Sequence, residues 1–237
     1  MKRRTLLKLF SALPVVGFLN CSILESNDSI NWIESNLKIK DARKSESFLI
    51  KLSDLEKKYI TTIENRDKVV VDKDRQIGIS TVSLCWNIYN CMHNKNVKAF
   101  IYSPNYVCSY YQYNRFIQIL KESNITFDTS NNISGFGVKF ENGSSIKFAG
   151  LIFEGITDAT VITLDEAAYF TQEKDFHYLV NNLPTTKVIV QSTSPDKYNK
   201  SNYFFHRICN KNELGQRDFT LLDFKKRKNV DNHRFDT

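Results

Sequence analysis

The sequence has no apolar run long enough to cross a bilayer. Its N-terminal apolar stretch, Leu9 to Leu19, falls far short of the roughly 20 residues that a spanning helix needs. No stable membrane span is expected. Metal-ligand spacing is missing as well. The five cysteines are Cys21, Cys85, Cys91, Cys108 and Cys209, with no Cys-x-x-Cys and no Cys/His pair of the kind that holds structural zinc. Their odd number fits reduced thiols in a cytosolic protein, most of them small buried hydrophobes. Internal repeats, low-complexity blocks and linker-like stretches are also absent, which leaves one folded unit.

What the sequence does contain is ordinary for a globular domain. Its 237 residues are 41% apolar and 25% charged, enough for a sizeable core, and 13% aromatics exclude wholesale disorder. A net charge of +7 suits a polyanionic partner such as nucleic acid. Part of that charge sits in Lys2-Arg3-Arg4 and in a C-terminal tail, residues 225–237, that opens on Lys225-Lys226-Arg227-Lys228. Both runs read as solvated segments. Residues 1–25 read two ways. A cationic start followed by an apolar stretch resembles a twin-arginine export signal, with Cys21 in the position of a lipoprotein site but Asn20 where a very small residue belongs. The same residues also fit a helix packing Leu6, Leu7, Phe10, Leu13 and Val16 on the domain.

Between these ends the pattern alternates. Ile30, Trp32, Ile33, Leu37 and Ile39 mark a short amphipathic stretch, and from Leu49 the apolar residues Leu52, Leu55, Tyr59, Ile60 and Ile63 recur at helical steps. Short continuous apolar runs at 69–71, 98–102, 161–164, 187–190 and 219–224 predict buried strands. Helices are expected at 81–93, at 106–121 and from about Phe170, and a hairpin over 138–148 is turned at Asn142-Gly143. Strands alternating with helices give an α/β fold on a mostly parallel sheet.

Three strand ends carry the chemistry. Val69-Val70-Val71-Asp72 leads into Lys73-Asp74-Arg75-Gln76-Ile77-Gly78-Ile79-Ser80-Thr81. A buried strand, a turn and a helix opening on Ser-Thr aim backbone N–H groups and the helix dipole at an anion. The ordinary loop, Gly-x-x-x-x-Gly-Lys-Ser/Thr, is only half matched: Gly78 and Ser80 keep their places, Ile79 replaces the lysine and Lys73 the first glycine. Val161-Ile162-Thr163-Leu164 delivers Asp165-Glu166, the pattern in which an aspartate holds Mg²⁺ and a glutamate activates water. Val188-Ile189-Val190-Gln191 runs into Ser192-Thr193-Ser194-Pro195.

The loop at 73–81 resembles the variant phosphate-binding loop of the large terminase subunits of tailed phages, whose core is Arg-Gln-x-Gly-x-Ser/Thr. Ala167-Ala168-Tyr169-Phe170 and Asn202-Tyr203-Phe204-Phe205 are similar to that family's continuations, and the resemblance covers about residues 30 to 224. It implies a P-loop NTPase-type sheet flanked by helices over residues 26–224, with ATP and Mg²⁺ as ligands. Lys73 and Arg75 would bind the triphosphate, Ser80 and Asp165 the metal, and Glu166 would serve catalysis. Thr193 or Ser194, depending on register, would couple hydrolysis to movement. Leu55-Glu56 falls where the family places an aromatic-Gln pair on adenine, which makes Glu56 a candidate nucleotide contact and puts base selectivity in question.

Implied partners are double-stranded DNA, a capsid portal, a small terminase subunit and further copies of the chain in a packaging oligomer. Such a motor needs cytoplasmic ATP, so the host cytoplasm is the expected location and export the alternative. No counterpart of the family's nuclease domain is expected, because thirteen residues follow Phe224. Arg115 is the candidate for a trans-acting arginine finger. A non-hydrolysing relic of the fold remains an alternative reading.

Overall fold

A computed structural model describes residues 27–40, 46–132, 135–150, 158–170, 186–193, 205 and 219–224. The N-terminal segment 1–25, the basic tail, Ser194 and most of the helix expected from Phe170 lie outside the described residues. The described residues open with α1 (Asn27–Asn36), β1 (Lys38–Lys40), β2 (Ser47–Leu49) and α2 (Asp54–Asn65). Next come β3 (Lys68–Lys73), α3 (Ile79–His93), β4 (Lys98–Ser103) and α4 (Tyr106–Glu122). A meander of β5 (Asp128–Asn132), β6 (Gly135–Lys139) and β7 (Ser145–Gly150) precedes β8 (Val161–Asp165), a 3-10 turn (Ala167–Tyr169), β9 (Lys187–Thr193) and β10 (Thr220–Asp223).

Eight strands form one sheet in the order β10-β3-β9-β8-β4-β7-β6-β5. The pairings from β10 to β7 are all parallel, and β6 alone runs against the others, pairing antiparallel with both β7 and β5. Successive strand residues point to opposite faces, so a strand covered on both sides must be apolar throughout. That is why these strands read as unbroken runs rather than alternations. Val69, Val71, Ile101 and Ile189 enter the core on one face, beneath the residues of α1 to α4. Val70, Ile162, Leu164, Val188 and Val190 enter a second core with Ala167, Ala168, Phe170, Phe205 and Phe219. Cys85 and Cys91 are buried as expected, and burial pushes both thiols up to about 12.

Two expectations are corrected. The helix does not begin at Leu49: Ser47–Leu49 pairs with β1, and the helix starts at Asp54. The cause is a capping box, in which the Ser53 N–H donates to Glu56 Oε2 (2.7 Å) and the Glu56 N–H to Ser53 Oγ (3.4 Å). β1 and β2 went unforeseen because Ile39 and Leu49 read as parts of amphipathic helical patterns, and β5 because it is polar throughout. The hairpin at Asn142-Gly143 forms as expected, with Gly143 at φ 85°. Asn142 ties it to the end of α3 by donating to the carbonyls of Cys91 (2.8 Å) and Asn94 (3.1 Å).

Around β7, the Phe148 ring meets Tyr113 at 5.8 Å and Phe116 at 5.2 Å, and its side chain is fully buried. Phe148→Ala should therefore cost about 3–5 kcal/mol in equilibrium denaturation. A loss under about 1 kcal/mol would mean that this aromatic cluster does not hold α4 on the sheet.

Candidate active site

Parallel strands deliver their C-terminal ends, and the loops that follow them, to one edge of the sheet. Here β3, β9, β8 and β4 open onto a cleft of about 840 Å³, lined among others by Lys73, Ser80, Ser103, Asp165, Glu166 and Thr193. Register sets the neighbours: Lys73 lies beside Thr193, and Asp165 beside Gln191. The loop from β3 to α3 turns through left-handed backbone at Gln76 (φ 62°) and Gly78 (φ 84°). Gly78 is the N-cap of α3 and offers no side chain to the first-turn N–H groups. They are left available to an anion at the cleft.

Four of the expected residues converge. Lys73 is only 5% exposed, and its Nζ lies 2.9 Å from Glu166 Oε1. Ser80 Oγ donates to Asp165 Oδ1 at 3.0 Å. Glu166 adopts left-handed backbone (φ 54°, ψ 43°) at the turn after β8, a conformation that costs a non-glycine residue about 1 kcal/mol or more and aims its carboxylate at Lys73. Arg75 is exposed and donates from Nη2 to Tyr169 Oη at 3.3 Å on the cleft wall. Gln76, Ile77 and Thr81 line the same cleft, as does Arg115, which thus faces the site of its own chain.

Of the other expected residues, Ile79 and Thr193 line the cleft, and Asp74 and Glu56 do not. Ile79, at the position where the ordinary loop has its lysine, is 1% exposed with its side chain in the core. The amine therefore comes from the strand, not from the loop. Asp74 is half-buried and does not line the cleft. Glu56 does not line it either. It is 6% exposed, its Oε2 serves the α2 cap, and its Oε1 backs the loop, 2.4 Å from where a Cβ on Gly78 would stand. Thr193 lines the cleft, while the alternative register, Ser194, lies outside the described residues.

The centre of the site is Asp165, which is 3% exposed. Burial pushes its carboxyl above the ordinary range, and the Glu166 charge pushes the same way. Lys73 and the hydrogen bonds from Gln191 and Ser80 pull against them. Gln191 Nε2 donates to Oδ1 at 2.7 Å, Gln112 Nε2 donates to Oδ2, and Tyr59 Oη donates to Gln191 Oε1 at 3.0 Å. Ser192 Oγ accepts the Ala168 N–H at 3.0 Å, which fastens β9 to the turn behind Glu166. The sequence reading missed Gln191, Ser192, Tyr59 and Gln112. Gln191 had a signal, a lone amide closing an apolar strand; Gln112, among the tyrosines of a helix, had none.

The donor set fits a hard divalent cation. A hydroxyl and a carboxylate stand together, and the carboxylate carries a charge that burial disfavours and a cation would compensate. Among the described residues no cluster of three His, Cys, Asp or Glu occurs.

Solved structures with a similar architecture include large terminases and a helicase. HK97 bacteriophage large terminase superposes with a TM-score of 0.63 at 12% identity, over 87% of this chain and 45% of that one. The fold is that of a terminase-type ATPase domain. The large terminase of a thermophilic bacteriophage gives 0.57 at 14% identity, over 74% of this chain and 46% of that one. The ATPase domain of the Thermus phage P74-26 large terminase gives 0.53 at 14% identity, over 73% and 81%. UvsW helicase of bacteriophage T4 also gives 0.53, at 12% identity over 83% and 67%. The chain thus spans just under half the length of the first two terminases. No protein-family model matches the sequence, and no curated protein does. Among the described residues of this terminase-type fold, no helix is long and apolar enough to cross a membrane.

Because the folded Asp165 carboxyl keeps its proton to higher pH than an unfolded aspartate (about 3.9), the folded state binds more protons in that window. Stability is therefore lost as pH rises from about 4 through the raised value, and the full cost is present above it. Asp165→Asn removes that cost. The variant should be at least as stable as the wild type near pH 7, with a flatter pH profile above about pH 4 by thermal denaturation. A variant markedly less stable at neutral pH would show that the charge is compensated within the fold itself.

Gly78→Ala places a side chain on left-handed backbone and against Glu56 Oε1. It should lower stability by about 1–2 kcal/mol, and an unchanged melting temperature would mean that the loop rearranges freely.

Proposed function

We propose that this chain is the ATP-hydrolysing motor domain of a phage DNA-packaging terminase, moving double-stranded DNA. The observation that carries the reading is the meeting of Lys73, Ser80, Asp165 and Glu166 at one cleft, where a half-matched loop and an Asp-Glu strand end share a single site. Structures similar in fold include a thermophilic bacteriophage large terminase in complex with ADP and with ATP-gamma-S.

In this reading the α3 N-terminus and Lys73 take the phosphates, and Arg75 adds a second cation at the cleft wall. Ser80 and Asp165 hold Mg²⁺, which when bound neutralises charge on the phosphate oxygens. Lys73 is paired with Glu166, and a triphosphate would offer the amine a stronger partner. Once released, the Glu166 carboxylate orients the attacking water and accepts its proton. Thr193 or Ser194 reports loss of the γ-phosphate. The path starts at Lys73, beside Thr193 in the sheet, and continues through Ser192 to the turn that carries Glu166. The working unit spans residues 26–224, assembles with copies of itself on a portal with a small terminase subunit, and acts in the host cytoplasm. Nuclease activity is not ascribed to it.

A second reading, a helicase-type translocase, is favoured by the likeness to UvsW. Stimulation of hydrolysis by double-stranded but not single-stranded DNA separates the packaging motor from it. Glu166→Gln should lower turnover by about 10²–10⁴-fold while nucleotide affinity holds. Normal hydrolysis in that variant, or no Mg-ATP binding by the wild type at millimolar concentration, would end the ATPase assignment, and the second result would favour a relic of the fold.

A further inference from the structure

Resting on the ATPase reading, we propose that Gln112 is a positioning residue for the cation of this site, turning its amide from donor to acceptor when the cation binds. Gln112 sits on α4, 53 residues from Asp165 in sequence, and belongs to neither the phosphate loop nor the Asp-Glu strand end. Its Nε2 donates to Asp165 Oδ2, while Ser80 and Gln191 both donate to Oδ1. All the hydrogen bonds recorded on this carboxylate thus come from neutral groups, because Lys73 is engaged with Glu166.

The other end of the same amide is the informative one. Gln112 Oε1 is buried and has no hydrogen-bond partner among the described residues. An acceptor left in that condition is unfavourable, so this arrangement satisfies the carboxylate at the amide's expense. A bound cation reverses the need. The carboxylate then no longer wants a donor, and Mg²⁺, which sheds water reluctantly, brings strongly polarised water hydrogens that want acceptors. Gln112 lines the cleft beside Ser80 and Asp165, and rotation of its terminal amide exchanges one role for the other without moving α4. Arg115 lines the same cleft but has donors only and cannot make that exchange.

The test uses the full chain, Mn²⁺ as the cation and a non-hydrolysable ATP analogue, with free Mn²⁺ read by electron paramagnetic resonance. Gln112→Leu keeps the bulk and loses both functions. It should weaken Mn²⁺ binding by about 10-fold or more, with analogue affinity in EDTA unchanged within about twofold. Gln112→Glu retains an acceptor and should recover cation affinity to the wild-type level or above. Wild-type Mn²⁺ affinity in Gln112→Leu would overturn the proposal. So would equal losses of cation-free and cation-dependent binding in both variants, which would mark a packing role only. A wild type that binds the analogue no better with Mn²⁺ than without it would overturn the ATPase reading itself, a result distinct from any difference between variants.

Discussion

A carboxylate buried at the end of a parallel strand is the constraint around which this structure is arranged. Asp165 lies at 3% exposure, where an uncompensated charge is expensive. The fold answers with donors drawn from three elements: the start of α3 through Ser80, β9 through Gln191, and α4 through Gln112. Tyr59 on α2 stands behind Gln191, so a fourth element contributes at second hand. These are neutral groups, and the upward push on the carboxyl shows that they fall short of full compensation. A fold optimised for rest alone would place an apolar or amide side chain there. Retaining the charge makes the site receptive to a divalent cation, a familiar trade between stability and binding.

The sheet was legible because both of its faces are covered. Each central strand appears as a largely apolar run, whereas the strand order and register emerge only in the folded sheet. What escaped was local. β5 is a polar strand held by backbone pairing, which leaves no hydrophobic signature, and the one apolar residue of β1, Ile39, fits an amphipathic helix equally well. The true start of α2 lay in Ser53 and Glu56, a pair whose capping geometry competes with the apolar period running back to Leu49.

At the site, motif-bearing residues were readable and their supports were not. Lys73, Ser80, Asp165 and Glu166 stand at strand or helix ends, where sequence pattern and position coincide. Gln112 and Tyr59 reach the centre across the fold, from helix positions that look like any other polar or core residue. Glu56 is a different case. Its place in the order of motifs pointed to the nucleotide, whereas its carboxylate faces a serine and the back of a glycine.

The site's amine is rooted in a strand. Lys73 is the last residue of β3, paired on its backbone with β9, whereas the loop after it turns on two left-handed residues. A lysine carried by a loop shifts whenever that loop breathes. One planted on the sheet keeps its origin fixed, so the turn beyond it can open and close around a ligand without displacing the principal positive charge.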